Sequence, residues 1–287
     1  MCIRLITSPH RVMFFLKGMD WKDVPKKLSK ALTAMIRLPT LRVCSLLMLW
    51  NLPISVFNDS QIHTLELLDV SFVCSPSEKR ANPTETLKSK RIRLLNLEYR
   101  GAPFLPLKQT PFGGSMQPPL FDFSNLQSLG LSTLTHRNPE LGTLITECGQ
   151  SLQSLTISGG FLNVIDLAPL SGLRHLILGF INDEPRFDGT PTLIATVETL
   201  NTLKLTDSRL EKVDLFFAEN GIALFNAETW DLLDNILFRF FQNSGRVQTI
   251  KVRFDAFYPY VSPKDMNLGV VRLPRCREAG LLVDSDA

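Results

Sequence analysis

Residues 149–178 read GQSLQSLTISGGFLNVIDLAPLSGLRHLIL, and one frame is written twice within them. Leu152, Leu155 and Ile157 stand at Leu-x-x-Leu-x-Leu spacing, and Leu173, Leu176 and Leu178 repeat it 21 residues later. Two apolar residues separated by one place both side chains on the same side of an extended strand. The apolar residue three positions earlier reaches that interior from the preceding turn. A single unit is too small to hide such a face. Stacked units bury it jointly, each strand pairing with the next, and remove apolar area from water at roughly 25 cal/mol per Å².

Working outward, the frame recurs upstream at Leu126/Leu129/Leu131, Ile92/Leu95/Leu97, Ile62/Leu65/Leu67 and Leu41/Cys44/Leu46, and downstream at Leu200/Leu203/Leu205 and Val247/Ile250/Val252. Successive first positions lie 21, 30, 34, 26, 21, 27 and 47 residues apart. Most of these intervals fall near the 20–29 residues of a leucine-rich repeat. The expected fold is therefore α/β: an irregular leucine-rich-repeat solenoid with short parallel strands on its concave side and helices and loops on its convex side. The expected organisation is one domain over 1–287, with an incomplete N-terminal repeat and helix at 1–40, repeats at 41–253 and a C-terminal cap at 254–287.

Between the frames, Asn138-Pro139 offers an N-cap and a proline at the first helical position. Leu141, Leu144, Ile145 and Cys148 follow on one face and Gly149 supplies a stop. Trp230, Leu233, Ile236, Leu237 and Phe240 recur at helical spacing, so a longer helix accounts for the widest interval. A third helix is expected from Asp23 to Arg37, turning Val24, Leu28, Leu32, Met35 and Ile36 inward, with Pro39 beyond it. The polar run Cys74–Ser89 and the proline-rich run Arg100–Asp122 show no helical period and read as surface loops.

Composition narrows the function. The chain has 287 residues, 44% of them apolar and 21% charged, which suits a globular protein with a sizeable core. A net charge of only +3 implies neither nucleic acid nor membrane as partner. The odd set Cys2, Cys44, Cys74, Cys148 and Cys276 forms no C-x-x-C pair, so reduced thiols and an intracellular, cytoplasmic or nuclear, location are expected. Arg4, Pro9, His10 and Arg11 interrupt the start too early for a secretory signal. Leu41–Phe57 contains Arg42, Asn51 and Pro53 and reads as a buried strand with its turn, not a membrane span.

No constellation reads as catalytic, and no metal or cofactor is expected. His10, His63, His136 and His175 are scattered, and Gly113-Gly114-Ser115 and Gly159-Gly160 lack the spacing of a phosphate loop or nucleophile elbow. Cys148 as a reactive thiol is the remote enzymatic alternative, set against its place on the apolar face of a helix.

A protein ligand on the concave face is the expected partner. Strand residues alternating with the inward leucines would meet it. They are Glu66, Glu98, Ser128, Ser154, Thr156, His175, Lys204, Lys251 and Arg253, accompanied by Thr64, Leu94, Asn96, Gly130, Ser158, Ile177, Thr202 and Thr249. Acidic members come early and basic ones late, which suggests a charge gradient along the face.

Taken in order, AMIRLPTLRVCSL (34–46), Asn51-Leu52-Pro53, FDFSNLQSLGLS (121–132), GQSLQSLTIS (149–158), IDLAPLSGLRHLIL (165–178), Trp230–Leu237 and LPRCREAGLLV (273–283) resemble the leucine-rich-repeat region of mushroom-type fungal F-box-like proteins. The resemblance implies a protein-interaction module, the substrate-recognition part of an F-box-type ubiquitin-ligase receptor. A free-standing repeat scaffold without a ligase link is the alternative. An F-box, which would dock a ligase adaptor, is not visible, and Ile3-Arg4-Leu5-Ile6 reads as a repeat already under way, so an N-terminally truncated copy is expected. The chain also departs from regular repeats at the position three residues after the third apolar one. There, Leu49, Val70, Arg100, Leu134, Gly160, Ile181, Ser208 and Asp255 replace the usual Asn or Cys. Without an Asn ladder to bond neighbouring backbones, irregular stacking is expected.

Overall fold

The computed structural model describes residues 4–8, 10–73, 92–100, 121–132, 139–158, 164–180, 190–203, 209–218, 226–244, 249–255 and 272–284. The chain is α/β, with mostly parallel strand pairing and few helices among the described residues. Its contacts divide it into two compact units, residues 1–129 with 138–148, and residues 130–137 with 149–287.

The first unit opens with β1 (Arg4–Ser8) running antiparallel to β2 (Arg11–Asp20). Parallel pairing begins only at β2, which lies beside β3 (Val43–Pro53), followed by β4 (Thr64–Val73) and β6 (Asn96–Arg100). The expectation of a repeat at Ile3–Ile6 is corrected on this point. Residues 4–6 belong to a hairpin strand, and the inward pair of the first parallel strand is Val12 and Phe14, both buried. Register sets Val12, Cys44, Leu65 and Leu97 side by side, all at most 2% exposed, which is the interior expected of the alternating leucines. Short β5 (Ile92–Arg93) pairs with β7 (Phe121–Asp122) as a separate ribbon, and β8 (Ser128–Ser132) begins in this unit. Beneath the strands, Phe57 meets Phe72 and Phe121 at ring-centroid distances of 6.1 and 5.7 Å, and Phe121 meets Phe123 at 6.3 Å.

Helix α1 (Lys26–Ile36) buries Leu32 and Ile36 and starts three residues later than expected. Trp21–Asp23 forms a 3-10 turn instead, closed by Asp20 accepting the amide N–H of Lys22, and Pro25 sits outside the helix with extended backbone angles. Helix α2 (Pro139–Cys148) begins at the expected proline and buries Leu144, Ile145 and Cys148, while Asn138 lies outside the described residues. The loop expected at 74–89 also lies outside them; of the one expected at 100–122, Arg100 ends a strand and Phe121–Asp122 form another, and 101–120 lie outside the described residues.

The absent Asn ladder has a structural counterpart. Leu49 and Val70 are buried and remain in register with each other and with Met19. The residue just before each of the three, Gly18, Met48 and Asp69, has a positive φ of 68°, 54° and 51°. Three neighbouring strands thus bend at one level through left-handed residues. The bend brings the next apolar side chain back inside, where a regular repeat would place Asn. Only glycine adopts that conformation without strain, so Met48 and Asp69 hold it because the strands on either side dictate it.

In the second unit β9 (Ser154–Ser158), β10 (His175–Phe180), β11 (Lys212–Ala218), β12 (Thr249–Asp255) and β13 (Leu282–Asp284) pair parallel in chain order. Leu155, Leu176, Val213 and Ile250 align across four of them, each 0% exposed. Helix α3 (Thr190–Asn201) was not expected from the sequence. Helix α4 (Ala227–Ser244) was, and Trp230, Leu233, Ile236, Leu237 and Phe240 are all buried along it. Asn226 caps its start by accepting from the backbone N–H and the hydroxyl of Thr229 at 2.9 and 2.8 Å. Helix α5 (Pro274–Glu278) precedes β13.

Two frames read from the sequence are corrected. Leu200 lies in α3 and Leu203 in the turn after it; the strand that follows takes Leu210, Val213 and Leu215 inward, the same spacing ten residues later. Further back, the frame is Leu94/Leu97/Tyr99, not Ile92/Leu95/Leu97, because β6 pairs with β4 as Leu65↔Leu97 and Leu67↔Tyr99. Leu94 is consequently interior at 0% exposure and is not a face residue. Gly149 ends α2 for another reason than a left-handed cap: a Cβ there would lie 2.6 Å from the carbonyl oxygen of Pro169, so only glycine lets the two backbones approach.

Candidate binding faces

The side of the parallel strands opposite the leucine columns carries the polar candidates, and each unit presents its own set. In the first, Ser45, Glu66 and Glu98 occupy one register row, with Thr64 and Asn96 in the row two residues before. The guanidinium of Arg11 donates to both carboxylate oxygens of Glu66, at 2.9 and 3.2 Å, and the Ser45 hydroxyl donates to Oε2 at 2.5 Å. Asn96 Nδ2 donates to the Thr64 hydroxyl at 3.0 Å. Ser128 lies half-buried on β8 beside the fully buried Leu129. Glu66 is thus held by Arg11 at the start of β2, which stands outside the frames read from the sequence. Exposed pairs of this kind add about 1 kcal/mol or less to stability, so their role lies in fixing side-chain direction.

In the second unit, Ser154, His175, Lys212 and Thr249 share one register row, and Thr156, Ile177, Asp214 and Lys251 the next exposed one. The Asp214 side chain is 6% exposed, and its Oδ2 lies 3.1 Å from His175 Nε2 and 3.1 Å from Lys212 Nζ. His175 and Lys212 remain open to solvent, with side chains 28% and 34% exposed. Lys251 is the Cα neighbour of Asp214 and is half-buried. Ahead of these strands, Arg174 and Glu211 form an exposed ion pair at 3.5 Å.

Comparison with family models, with curated proteins and with solved structures gave no match. The faces must be interpreted from their own chemistry.

Of the residues singled out in the sequence, the structure places Glu66, Glu98, Ser128, Ser154, Thr156, His175 and Lys251 on strands, each beside a buried residue and itself half-buried. Arg253 is the register partner of Phe216 on β12. Lys204 lies outside the described residues. Thr202 is not a strand residue: its hydroxyl accepts from the Leu167 amide at 2.7 Å and donates to the Thr199 carbonyl at 2.7 Å, fastening the end of α3 to the chain before β10. Arg11, Ser45, Lys212 and Asp214 were missed. Leu210-x-x-Val213-x-Leu215 carried the signal for two of them, masked by the equally well-formed Leu200 frame. The charges also pair locally, since Glu66 meets Arg11 and Asp214 meets Lys212 and His175.

The thiol alternative meets a physical obstacle. Cys44, Cys148 and Cys276 are buried thiols outside any disulfide. Burial pushes the Cys148 thiol up to about 12, with its Sγ donating to the Ile145 carbonyl at 3.7 Å, and it raises Cys44 and Cys276 as well. A nucleophilic cysteine needs the opposite shift. Alkylation of Cys148 by iodoacetamide at pH 8 should therefore proceed no faster than unfolding; rapid, selective labelling of the folded chain would contradict its burial. The raised values also give a pH dependence. Below the ordinary thiol value of 9.0, folded and unfolded thiols are both protonated. Above it the unfolded thiol ionises first, so stability falls by roughly 1.4 kcal/mol per buried thiol for each further pH unit. Denaturation midpoints measured from pH 8 to 10.5 should decline progressively past 9.

Proposed function

We propose that this chain is a protein-binding module of the leucine-rich-repeat type, holding a protein ligand against the polar side of its parallel strands. The alternation on β9 and β10 carries the reading. Leu155, Ile157, Leu176 and Leu178 are buried, while Ser154, Thr156 and His175 between them stay partly open. Parallel strands repeated along the chain present such residues in rows at about 4.8 Å spacing, a broad surface suited to a polypeptide more than to a small molecule. The ligase connection, as the substrate-recognition part of an F-box-type receptor, rests on the sequence resemblance, and a free-standing scaffold is the alternative. Buried thiols outside any disulfide among the described residues favour a reducing compartment, consistent with an intracellular role. Among the described residues no helix is long and apolar enough to cross a membrane.

A photo-crosslinking amino acid at Thr156 should capture a defined protein in cells, and the same group at the exposed Glu228 of α4 should not. Equal capture from both positions would refute the face assignment. Co-purification of a ligase adaptor and cullin separates the receptor from the scaffold.

A further inference from the structure

Resting on that reading, we propose that the strand face of the second unit docks an acidic peptide segment of its partner, with Lys251 as the anchoring cation. The ionisable side chains of His175, Lys212 and Asp214 meet on this face, and Lys251 stands in register beside Asp214. Only one is acidic, and its Oδ2 is already engaged by its neighbours. Asp214 is buried, and the same oxygen serves His175 and Lys212. A ligand therefore meets the His175 ring and the Lys212 ammonium more readily than the buried carboxylate they share. The engaged Asp214 holds two long side chains in fixed positions, which lowers the entropy lost when a ligand orders them.

Lys251 differs from Lys212 in one respect. Among the described residues it forms no ion pair. An incoming carboxylate can bind it without breaking an existing bridge, and it stands in register with Asp214, which already holds the His175 ring and the Lys212 ammonium. Ser154, Thr156 and Thr249 add hydroxyls able to hydrogen-bond an extended backbone, and Ile177 supplies an apolar contact in the middle. Cations, hydroxyls and one aliphatic residue in two rows complement a short segment mixing Asp or Glu with small residues. The face fits nucleic acid less well. A phosphate backbone is tracked by a long uninterrupted positive stripe, whereas the basic groups here stand among hydroxyls and Ile177, with the exposed Glu211 ahead of the strand.

Fluorescence polarisation of the full chain with a labelled peptide of alternating Glu and Ser tests the assignment. The peptide should bind at low salt and weaken as salt shortens the electrostatic range, and its Gln-for-Glu counterpart should not bind. Lys251→Met, which removes the charge without placing a second acid beside Asp214, should weaken binding about tenfold. Lys27→Met on α1, equally a loss of one charge, should leave it unchanged. Equal loss in both variants, or equal affinity for a single-stranded oligonucleotide, would overturn the proposal. If the peptide fails to bind while crosslinking from Thr156 still captures a protein, the acidic-ligand inference falls and the protein-binding reading stands. Peptide binding without any such capture would sink the broader reading instead.

Discussion

Leu176→Ala lowers the unfolding free energy by about 4 kcal/mol, within the range for a buried leucine cut back to alanine. Leu176 is 0% exposed on β10, with Leu155 on one side and Val213 on the other, each also 0% exposed. Those neighbours are held by backbone pairing on both flanks, so they have little freedom to collapse into the space left behind. The loss therefore includes a cavity contribution on top of the lost transfer free energy. Urea denaturation should show a lower midpoint with an unchanged slope. Ile177→Ala, one residue on and pointing to the other side, should cost about 1 kcal/mol or less. Similar losses for both variants would show that the inward and outward sides of this strand have been exchanged.

Asp234→Ala should cost about 3 kcal/mol. Asp234 is a carboxylate on α4, 2% exposed, and its two oxygens accept the backbone N–H groups of Arg275 at 3.0 Å and Cys276 at 3.1 Å. These are orphan donors in the first turn of α5, where a negative charge is also favoured by the helix dipole. The side chain thereby ties the C-terminal segment to α4 across 42 residues. Alanine removes both acceptors and leaves buried amides unpaired. Asparagine keeps one acceptor and should lose about half as much. Hydrogen exchange should quicken first in α5 and β13, since β13 follows α5 directly and pairs only through Ile250, Lys251 and Val252 among the described residues. Uniform acceleration over the whole second unit would mean that the contact supports more than this segment.

The two substitutions probe interactions of unequal legibility. Leu176 belongs to a frame that can be read directly, because its spacing matches the geometry of a strand. Asp234 lies among the apolar residues of a helix and gives no local sign that it caps another helix. Its role exists only once α5 has been brought to it. The same contrast separates the polar faces. Ser154, Thr156, His175 and Lys251 follow from alternation alone, whereas Arg11 reaches Glu66 across 55 residues and His175 reaches Asp214 across 39. Where two frames compete, as in Leu94-Leu95 or in Leu200 against Leu210, local spacing is degenerate, and lateral pairing with the preceding strand selects one.

By itself the sequence determined which aliphatic residues avoid water over most of the chain, and that parallel strands carry them, because the period of a strand is written into neighbouring positions. Only the tertiary structure decided which overlapping frame is used, where Asp214 and Asp234 find their partners, and which charges are left to face a ligand. Register and long-range pairing depend on the energy of whole strands laid side by side, a quantity that no short stretch of residues contains.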